Sequence, residues 1–168
     1  MKNIDYLKLT LLVLVAAYGT ACALHPENYG FMDGVDLLFH EAGHPIFGLF
    51  GNEFLMILGG TLGQLIMPSI IIGYFIWSGQ RFSASVTGVW LAQNLFNISV
   101  YAKDASAMEL PLVGNGDRAH DWNYMLTELD MLGSDQAVGG AIRAAGVIVL
   151  IVAVLAGLYF SRKPAEDA

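Results

Sequence analysis

Long apolar runs separated by short polar segments dominate the chain. Three runs are long enough to cross a bilayer, which takes about 20 residues; they are 7–24, 54–77 and 82–102. A fourth run, 137–160, carries one charge near its start, Arg143. We therefore predict four transmembrane helices within a single integral membrane domain, residues 1–168.

The first run has two interpretations. Lys2 and Lys8 accompany an apolar stretch, LTLLVLVAAYGTACA, that ends in small residues, as in a cleavable signal peptide. The same run is also long enough to remain as a membrane helix. We favour retention, and cleavage stays the alternative.

Residues 33–50 also have a helical pattern, but they contain too many polar groups for an independent span. Each charge at mid-bilayer costs about 2.5–3.5 kcal/mol on the insertion scale. We expect a partly inserted or re-entrant helix that the other helices shield from lipid. In this helix Asp33 is expected to cap the start, Gly51 to follow the end, and Pro45 to introduce a kink.

A shorter helical pattern lies in the polar segment after the third span. Residues 120–132 have an apolar stripe on one side, formed by Trp122, Met125, Leu126 and Leu129. This pattern is typical of an amphipathic helix at a membrane interface. The predicted fold class is therefore all-α: a polytopic membrane helix bundle with about four transmembrane helices, a partly inserted helix and an interfacial helix.

Composition agrees with a membrane protein and narrows the possible chemistry. The chain is 55% hydrophobic and 14% charged, against about 25% charged residues in soluble domains. Its net charge of -7 leaves no basic patch for nucleic acid. The one cysteine, Cys22, permits neither an internal disulfide nor a cysteine metal cluster, so the remaining metal ligands are His, Asp and Glu.

The basic residues indicate an orientation in the membrane. With four spans, five of them fall on one side, namely Lys2, Lys8, Arg81, Arg162 and Lys163. The positive-inside rule makes that side cytoplasmic. We therefore expect both termini in the cytoplasm, with the protein in the inner membrane of a bacterium. The outer loop, 103–136, carries seven acidic residues against two basic ones.

The polar helix contains the sequence HEAGH at residues 40–44. On a helix His40 and His44 lie one turn apart on the same face, so they can hold one metal ion together. Glu41 lies beside that face and can act as general base, which is the H-E-x-x-H arrangement of zinc hydrolases. Zn²⁺ is the cofactor that this pattern predicts. The alternative is that both histidines are buried hydrogen-bonding residues.

HEAGH within an apolar helix of a compact multi-span protein resembles the site-2-protease-like intramembrane zinc metallopeptidases. The resemblance implies hydrolysis of a peptide bond in or near the membrane. It also implies a third ligand from an aspartate in a distant membrane segment, within a Leu-Asp-Gly-type motif. This sequence has no such motif, and the triplet NGD at 115–117 lacks that context.

A catalytic zinc takes three protein ligands and keeps an open position. The stretch AHDWNY offers His120 as third ligand, with Asp121 as its replacement or orienting partner. Asp104 is a further candidate. On an ideal helix His120 points away from the apolar stripe, so a surface histidine is the alternative. We predict that residues 117–124 fold back over the HEAGH helix and bring His120 or Asp121 to the metal.

Four amide side chains lie inside the predicted spans: Gln64, Gln93, Asn94 and Asn97. They can pair with the backbone of a peptide substrate, but hydrogen bonding between helices is the favoured interpretation. Gly59 and Gly63 predict a close-packing face on the second span.

These features predict a membrane-embedded zinc metallohydrolase, most simply a peptidase with a peptide or membrane-protein substrate and membrane lipids around it. Two alternatives stay open. One is a non-catalytic metal-binding or structural subunit of a larger membrane complex, and the other is a hydrolase of lipid or another small amide. A closed four-ligand site indicates a structural metal, whereas an open site beside a groove indicates catalysis.

Overall fold

The computed structural model describes residues 4–111 and 120–162, and these parts form a helical bundle. The helices in chain order are α1 (Tyr6–Leu24), α2 (Phe31–Gly48), α3 (Glu53–Trp77), α4 (Arg81–Lys103), α5 (Asp121–Glu128) and α6 (Asp135–Phe160). A short 3-10 turn, Leu132–Ser134, precedes α6. The all-α prediction is confirmed, and each predicted helix begins within two residues of its predicted start.

Three helices are long and apolar enough to cross a membrane: Tyr6–Leu24, Glu53–Trp77 and Leu132–Phe160, the last including the 3-10 turn. Their outward faces expose large apolar side chains, among them Val13, Ile70 and Ile151. Lipid tails are as apolar as these side chains, so such a surface suits a bilayer. By length and composition, these three helices could span a membrane.

α4 lies among the other helices. It contacts α1, α3 and α6, and 11 of its 23 residues are buried. Val89 and Phe96 of α4 belong to a core cluster that includes Leu150 and Ala153 of α6. Because its neighbours shield it, α4 can carry more polar residues than a lipid-facing span. The predicted span 82–102 is therefore a helix, but it is not among the three apolar ones.

Different contacts hold the two ends of the helical bundle together. At one end, the backbone N–H of Asp5, just before α1, donates to the carbonyl of Ser161, just after α6, at 2.9 Å. At the other end, the Arg143 side chain donates to the Ala23 carbonyl in the last turn of α1, at 2.8 Å. α2, α5 and the beginning of α3 are grouped at this second end, where the predicted site residues lie.

The start of α2 differs from the prediction. Gly30 is the N-cap rather than Asp33, and the Asp33 carboxylate accepts a hydrogen bond from the Gly30 N–H at 2.8 Å. An acid in the third helical position can satisfy the cap residue's own backbone donor, so the helix starts earlier than expected. Gly51 follows the helix with φ of +70°, and α2 continues through Pro45 to Gly48.

α5 is shorter than the predicted segment 120–132. It ends at Glu128, and Asp130 adopts a left-handed φ of 55°, which is incompatible with a continuing helix. Met125 and Leu126 are buried, whereas Leu129 is exposed. The apolar side of α5 therefore packs against the protein, where α5 contacts α3 and α4.

Candidate metal centre

Two histidines of α2 and one aspartate of α5 bring their ligand atoms together. His40 Nε2 lies 2.8 Å from Asp121 Oδ2, and His44 Nε2 lies 3.4 Å from the same oxygen. Ligand atoms of the three residues lie within 4.8 Å of one another. Within the described parts of the chain, His40, His44 and Asp121 have the residue types and the spacing that are needed to hold a metal ion.

Glycines of α2 and α3 create the space in which these side chains meet. A Cβ at Gly43 would collide with the Gly59 carbonyl, so the two helices are in backbone contact. A Cβ at Gly60 would lie 2.6 Å from His40 Nε2 and 2.7 Å from His44 Cε1. The predicted glycine packing face on α3 is confirmed. At Gly60, the missing side chain leaves space for the two imidazole rings.

Hydrogen bonds on the far side of both imidazoles fix their tautomers. His44 Nδ1 lies 3.0 Å from the Met56 carbonyl oxygen, which can only accept. His40 Nδ1 lies 2.8 Å from Gln64 Oε1, also an acceptor. Both Nδ1 atoms therefore carry a proton, so the Nε2 atoms, which face Asp121, are the nitrogens available to a metal ion. Metal-ligating histidines are usually oriented by such outer hydrogen bonds, so the residues fit a metal ion.

The charges of the group favour an ion pair when no metal is bound. Burial raises the pKa of Asp121, but hydrogen bonds from His40 and His44 outweigh burial and hold that pKa below its ordinary value. The hydrogen bond to Asp121 raises the pKa of His44, against the opposing effect of desolvation. A proton on the imidazole nitrogen that faces Asp121 would therefore compete with a metal ion for that nitrogen.

His120, the first predicted third ligand, does not join this group. It is the N-cap of α5, and its Nδ1 accepts from the Asn123 N–H at 3.1 Å. Its Nε2 lies 3.1 Å from Asp104 Oδ2, so both ring nitrogens are engaged elsewhere. The surface alternative was also wrong, because the His120 side chain is 2% exposed. Asp104 pairs with His120 and lies apart from the two histidines of α2.

The amide side chains of α3 and α4 form hydrogen bonds between helices, which confirms the favoured prediction for them. Gln93 and Asn97 donate to Asp33, and Asn94 donates to Asp36. Sequence reasoning missed two other partners, Gln64 for His40 and the Met56 carbonyl for His44. An amide inside an apolar run marked Gln64 as unusual, but no sequence signal connected it to His40.

A tyrosine that sequence reasoning did not single out anchors the start of α5. The Tyr101 hydroxyl accepts a hydrogen bond from the Asp121 backbone N–H at 2.9 Å. The Tyr101 ring lies between two histidines, with centroids 6.0 Å from that of His40 and 4.5 Å from that of His120. α4 thereby places the backbone of Asp121 where its carboxylate reaches α2.

A cavity of about 1270 Å³ opens beside the three ligand residues. Glu41 lines this cavity together with them, and its side chain is exposed. The described lining residues include six acids and no Lys or Arg: Glu27, Asp33, Glu41, Glu53, Asp121 and Glu128. An acidic cavity attracts cationic groups and repels anionic ones.

Comparisons of the chain with protein-family models, with curated proteins and with solved structures find no match. The function therefore has to be inferred from the geometry of the site itself.

Proposed function

We propose that the protein is a membrane-embedded zinc metallohydrolase that cleaves a peptide bond in or near the membrane. The observation that carries the proposal is the convergence of His40 Nε2, His44 Nε2 and the Asp121 carboxylate. Imidazole nitrogens and a carboxylate oxygen are ligands that zinc prefers, and catalytic zinc sites use three such ligands.

The ligand residues and Glu41 have separate roles in this proposal. His40, His44 and Asp121 would hold Zn²⁺, which would supply Lewis acidity and activate a water molecule for attack on the peptide carbonyl. Glu41 follows His40 on α2 and faces the cavity, so it can accept a proton at its carboxylate and return it to the leaving amine.

The cavity supports a peptide as substrate over a lipid or a small amide. Small-molecule pockets have volumes of about 300–1,000 Å³, and this cavity of about 1270 Å³ is larger. Its acidic lining disfavours the phosphate of an anionic lipid headgroup. The amides Gln64 and Asn97 also line it, and side-chain amides can pair with a peptide backbone.

An open coordination position argues against a purely structural metal. Structural zinc is almost always held by four protein ligands, whereas a catalytic site keeps one position free. Within residues 4–111 and 120–162 the group has three members, and it borders the cavity. A non-catalytic, metal-binding subunit of a larger membrane complex remains the second candidate.

We further propose a four-span topology in which α4 is the additional span. α1 and α4 end, and α3 and α6 begin, at the end of the bundle that holds the metal centre. Four crossings then leave both termini in the cytoplasm and place the metal centre towards the outer face.

The test is zinc analysis combined with a peptidase assay on the purified protein in detergent or nanodiscs. The wild-type protein should bind about one Zn²⁺ and cleave an unstructured fluorogenic peptide. Glu41→Gln should keep its zinc and lose about 10²–10⁴-fold in rate, the usual contribution of general acid–base catalysis. His44→Ala should lose the zinc as well as the activity.

Two controls separate the candidates. Glu27→Gln removes a carboxylate from the same cavity without touching the metal group, and it should leave the rate within a few-fold of wild type. Full activity in Glu41→Gln would exclude Glu41 as the base. Stoichiometric zinc with no hydrolysis of peptide, lipid or amide substrates would favour the non-catalytic subunit.

A further inference from the structure

A chain of buried amide side chains leads from two aspartates of α2 to the imidazole of His40. It passes through Asn94 and Asn97 of α4 and through Gln64 of α3, and each link is a hydrogen bond. The directions of the links can be followed from Asp36 and Asn94, whose partners include groups that only donate or only accept.

The first link is fixed at Asp36, whose side chain is 1% exposed. Asp36 Oδ1 accepts from the Trp90 indole N–H at 2.7 Å and from Asn94 Nδ2 at 3.1 Å. An indole nitrogen only donates, so Oδ1 is an acceptor whether or not the carboxyl is ionised. Asp36 Oδ2 has no partner among the described residues, so any proton sits there and leaves this direction unchanged.

The orientation of Asn94 follows from these acceptors. Its Nδ2 also donates to the Trp90 carbonyl oxygen at 3.2 Å, and a backbone carbonyl cannot donate. The amide nitrogen of Asn94 therefore faces α2 and its own α4 backbone. Its Oδ1 is left to face Gln64.

Asn97 is oriented in the same way by Asp33. Its Nδ2 donates to Asp33 Oδ1 at 2.9 Å, and Gln93 donates to the same oxygen at 2.8 Å. The other oxygen of Asp33 accepts the Gly30 N–H. Asn97 therefore presents its oxygen, rather than its nitrogen, towards Gln64.

Gln64 meets both amide oxygens with its nitrogen. Its Nε2 donates to Asn94 Oδ1 at 3.3 Å and to Asn97 Oδ1 at 3.4 Å. Turning the Gln64 amide round would point its oxygen at two other oxygens, with all groups buried. Gln64 Oε1 is thus held 2.8 Å from His40 Nδ1, and that nitrogen must carry a proton.

We propose that Gln64 is a positioning residue that selects the Nδ1–H tautomer of His40, and that Asp33 and Asp36 dictate its orientation through Asn97 and Asn94. Because Asp33 and Asp36 accept hydrogen bonds, Asn97 and Asn94 turn their oxygens towards Gln64. Gln64 in turn points its own oxygen at His40 Nδ1, which leaves Nε2 of that ring as the nitrogen that faces the metal position. This inference rests on the proposed metal site, but it concerns which nitrogen of His40 would bind the metal and does not depend on catalysis. A neutral glutamine delivers this effect without adding a negative charge at His40 Nδ1.

The experiment reads the tautomer in Zn²⁺-loaded protein, because without metal the Asp121 carboxylate, 2.8 Å from His40 Nε2, would itself draw a proton to that nitrogen. ¹⁵N-histidine spectra of the Zn²⁺-loaded wild-type protein should show His40 bound through Nε2, with a proton on Nδ1. Gln64→Met removes the acceptor and should shift His40 towards the Nε2–H form. The Zn²⁺ dissociation constant of that variant should rise about 10–100-fold, as is typical when an outer partner of a ligand is lost.

Two further variants separate positioning from packing. Gln93→Met removes another buried α4 amide that bonds Asp33 but does not touch Gln64, so it should leave the tautomer and zinc affinity unchanged. In Gln64→Glu, a protonated carboxyl can donate its O–H to Asn94 or Asn97 and keep its carbonyl oxygen towards His40, so this variant should restore the Nδ1–H tautomer that Gln64→Met loses.

The outcomes are distinct for this inference and for the proposed function. Wild-type His40 in the Nε2–H form would overturn the inference, even if every variant failed to fold. A Gln64→Met protein with the same tautomer and zinc affinity as Gln93→Met would also overturn it. A correct tautomer and a tight zinc site in a protein without hydrolase activity would support the inference and reject the enzyme.

Discussion

Gly60→Ala is the substitution that tests the metal centre with the smallest chemical change. Gly60 lies on α3 directly against the two imidazoles, and an added Cβ would lie 2.6 Å from His40 Nε2. Ordinary van der Waals contact begins at 3.4 Å, so ring and methyl would have to separate by about 0.8 Å. Gln64 holds the opposite side of the ring at 2.8 Å, so His40 cannot retreat without losing that hydrogen bond.

The expected effect on zinc follows from the tolerance of metal coordination. Ligand distances in real sites vary within about 0.2 Å, several times less than the required movement. Misplacement of a reacting group by about 1 Å can cost on the order of 10²-fold, and we expect a loss of that order in zinc affinity. Overpacking should also cost about 1–3 kcal/mol of stability.

The assay is competition for Zn²⁺ against a chromophoric chelator, with helicity and melting temperature measured on the same samples. Gly73→Ala is the matched control, because Gly73 lies on the same helix with nothing within 4 Å of an added Cβ. If folded Gly60→Ala protein binds zinc as tightly as Gly73→Ala protein, the metal does not lie between the imidazoles where we place it.

Three other predictions concern the third ligand, the pH dependence and the topology. Asp121→Ala should weaken zinc binding by at least about 10-fold in competition titrations. His120→Ala should bind zinc as wild type does but melt at a lower temperature. If His120→Ala lost zinc affinity and Asp121→Ala kept it, His120 would be the ligand. The pKa of His44 is raised from 6.5, so in metal-free protein its ion pair stabilises the fold fully below pH 6.5 and is lost as pH rises through the raised pKa. Zinc affinity should increase over the same pH window as the competing proton leaves, and a pH-independent dissociation constant would argue against His44 as ligand. A reporter fused after residue 168 should be active on the cytoplasmic side, and periplasmic activity would reject the four-span topology.

The helices were predictable because their apolar runs are long and end in polar residues. The 54–77 run, for example, corresponds to α3 with a difference of one residue at its start. The central position of α4 was not predictable, because its apolar residues suit either lipid or protein neighbours. Only packing against α1, α3 and α6 distinguishes the two environments.

The candidate site was predictable in part. His40, His44 and Glu41 follow from spacing on one helix, but the choice between His120 and Asp121 depends on which residue begins α5. As the N-cap, His120 turns its ring to the Asn123 N–H, and the next residue reaches α2 instead. The pairing of Gln64 with His40 joins residues 24 positions apart and depends on glycine-mediated contact between α2 and α3.

The dependence of α2 on later helices has a consequence for biosynthesis. Asp33 and Asp36 emerge from the ribosome with α2, but their side-chain partners Gln93, Asn94 and Asn97 are made only afterwards. At about 5–20 residues per second, roughly 2–10 s separate the end of α2 from Asn97. Throughout that interval lipid offers the two aspartates no partner. The nascent α2 should therefore wait in an aqueous or chaperoned environment, and a chain stalled before α4 should expose α2 to a soluble protease.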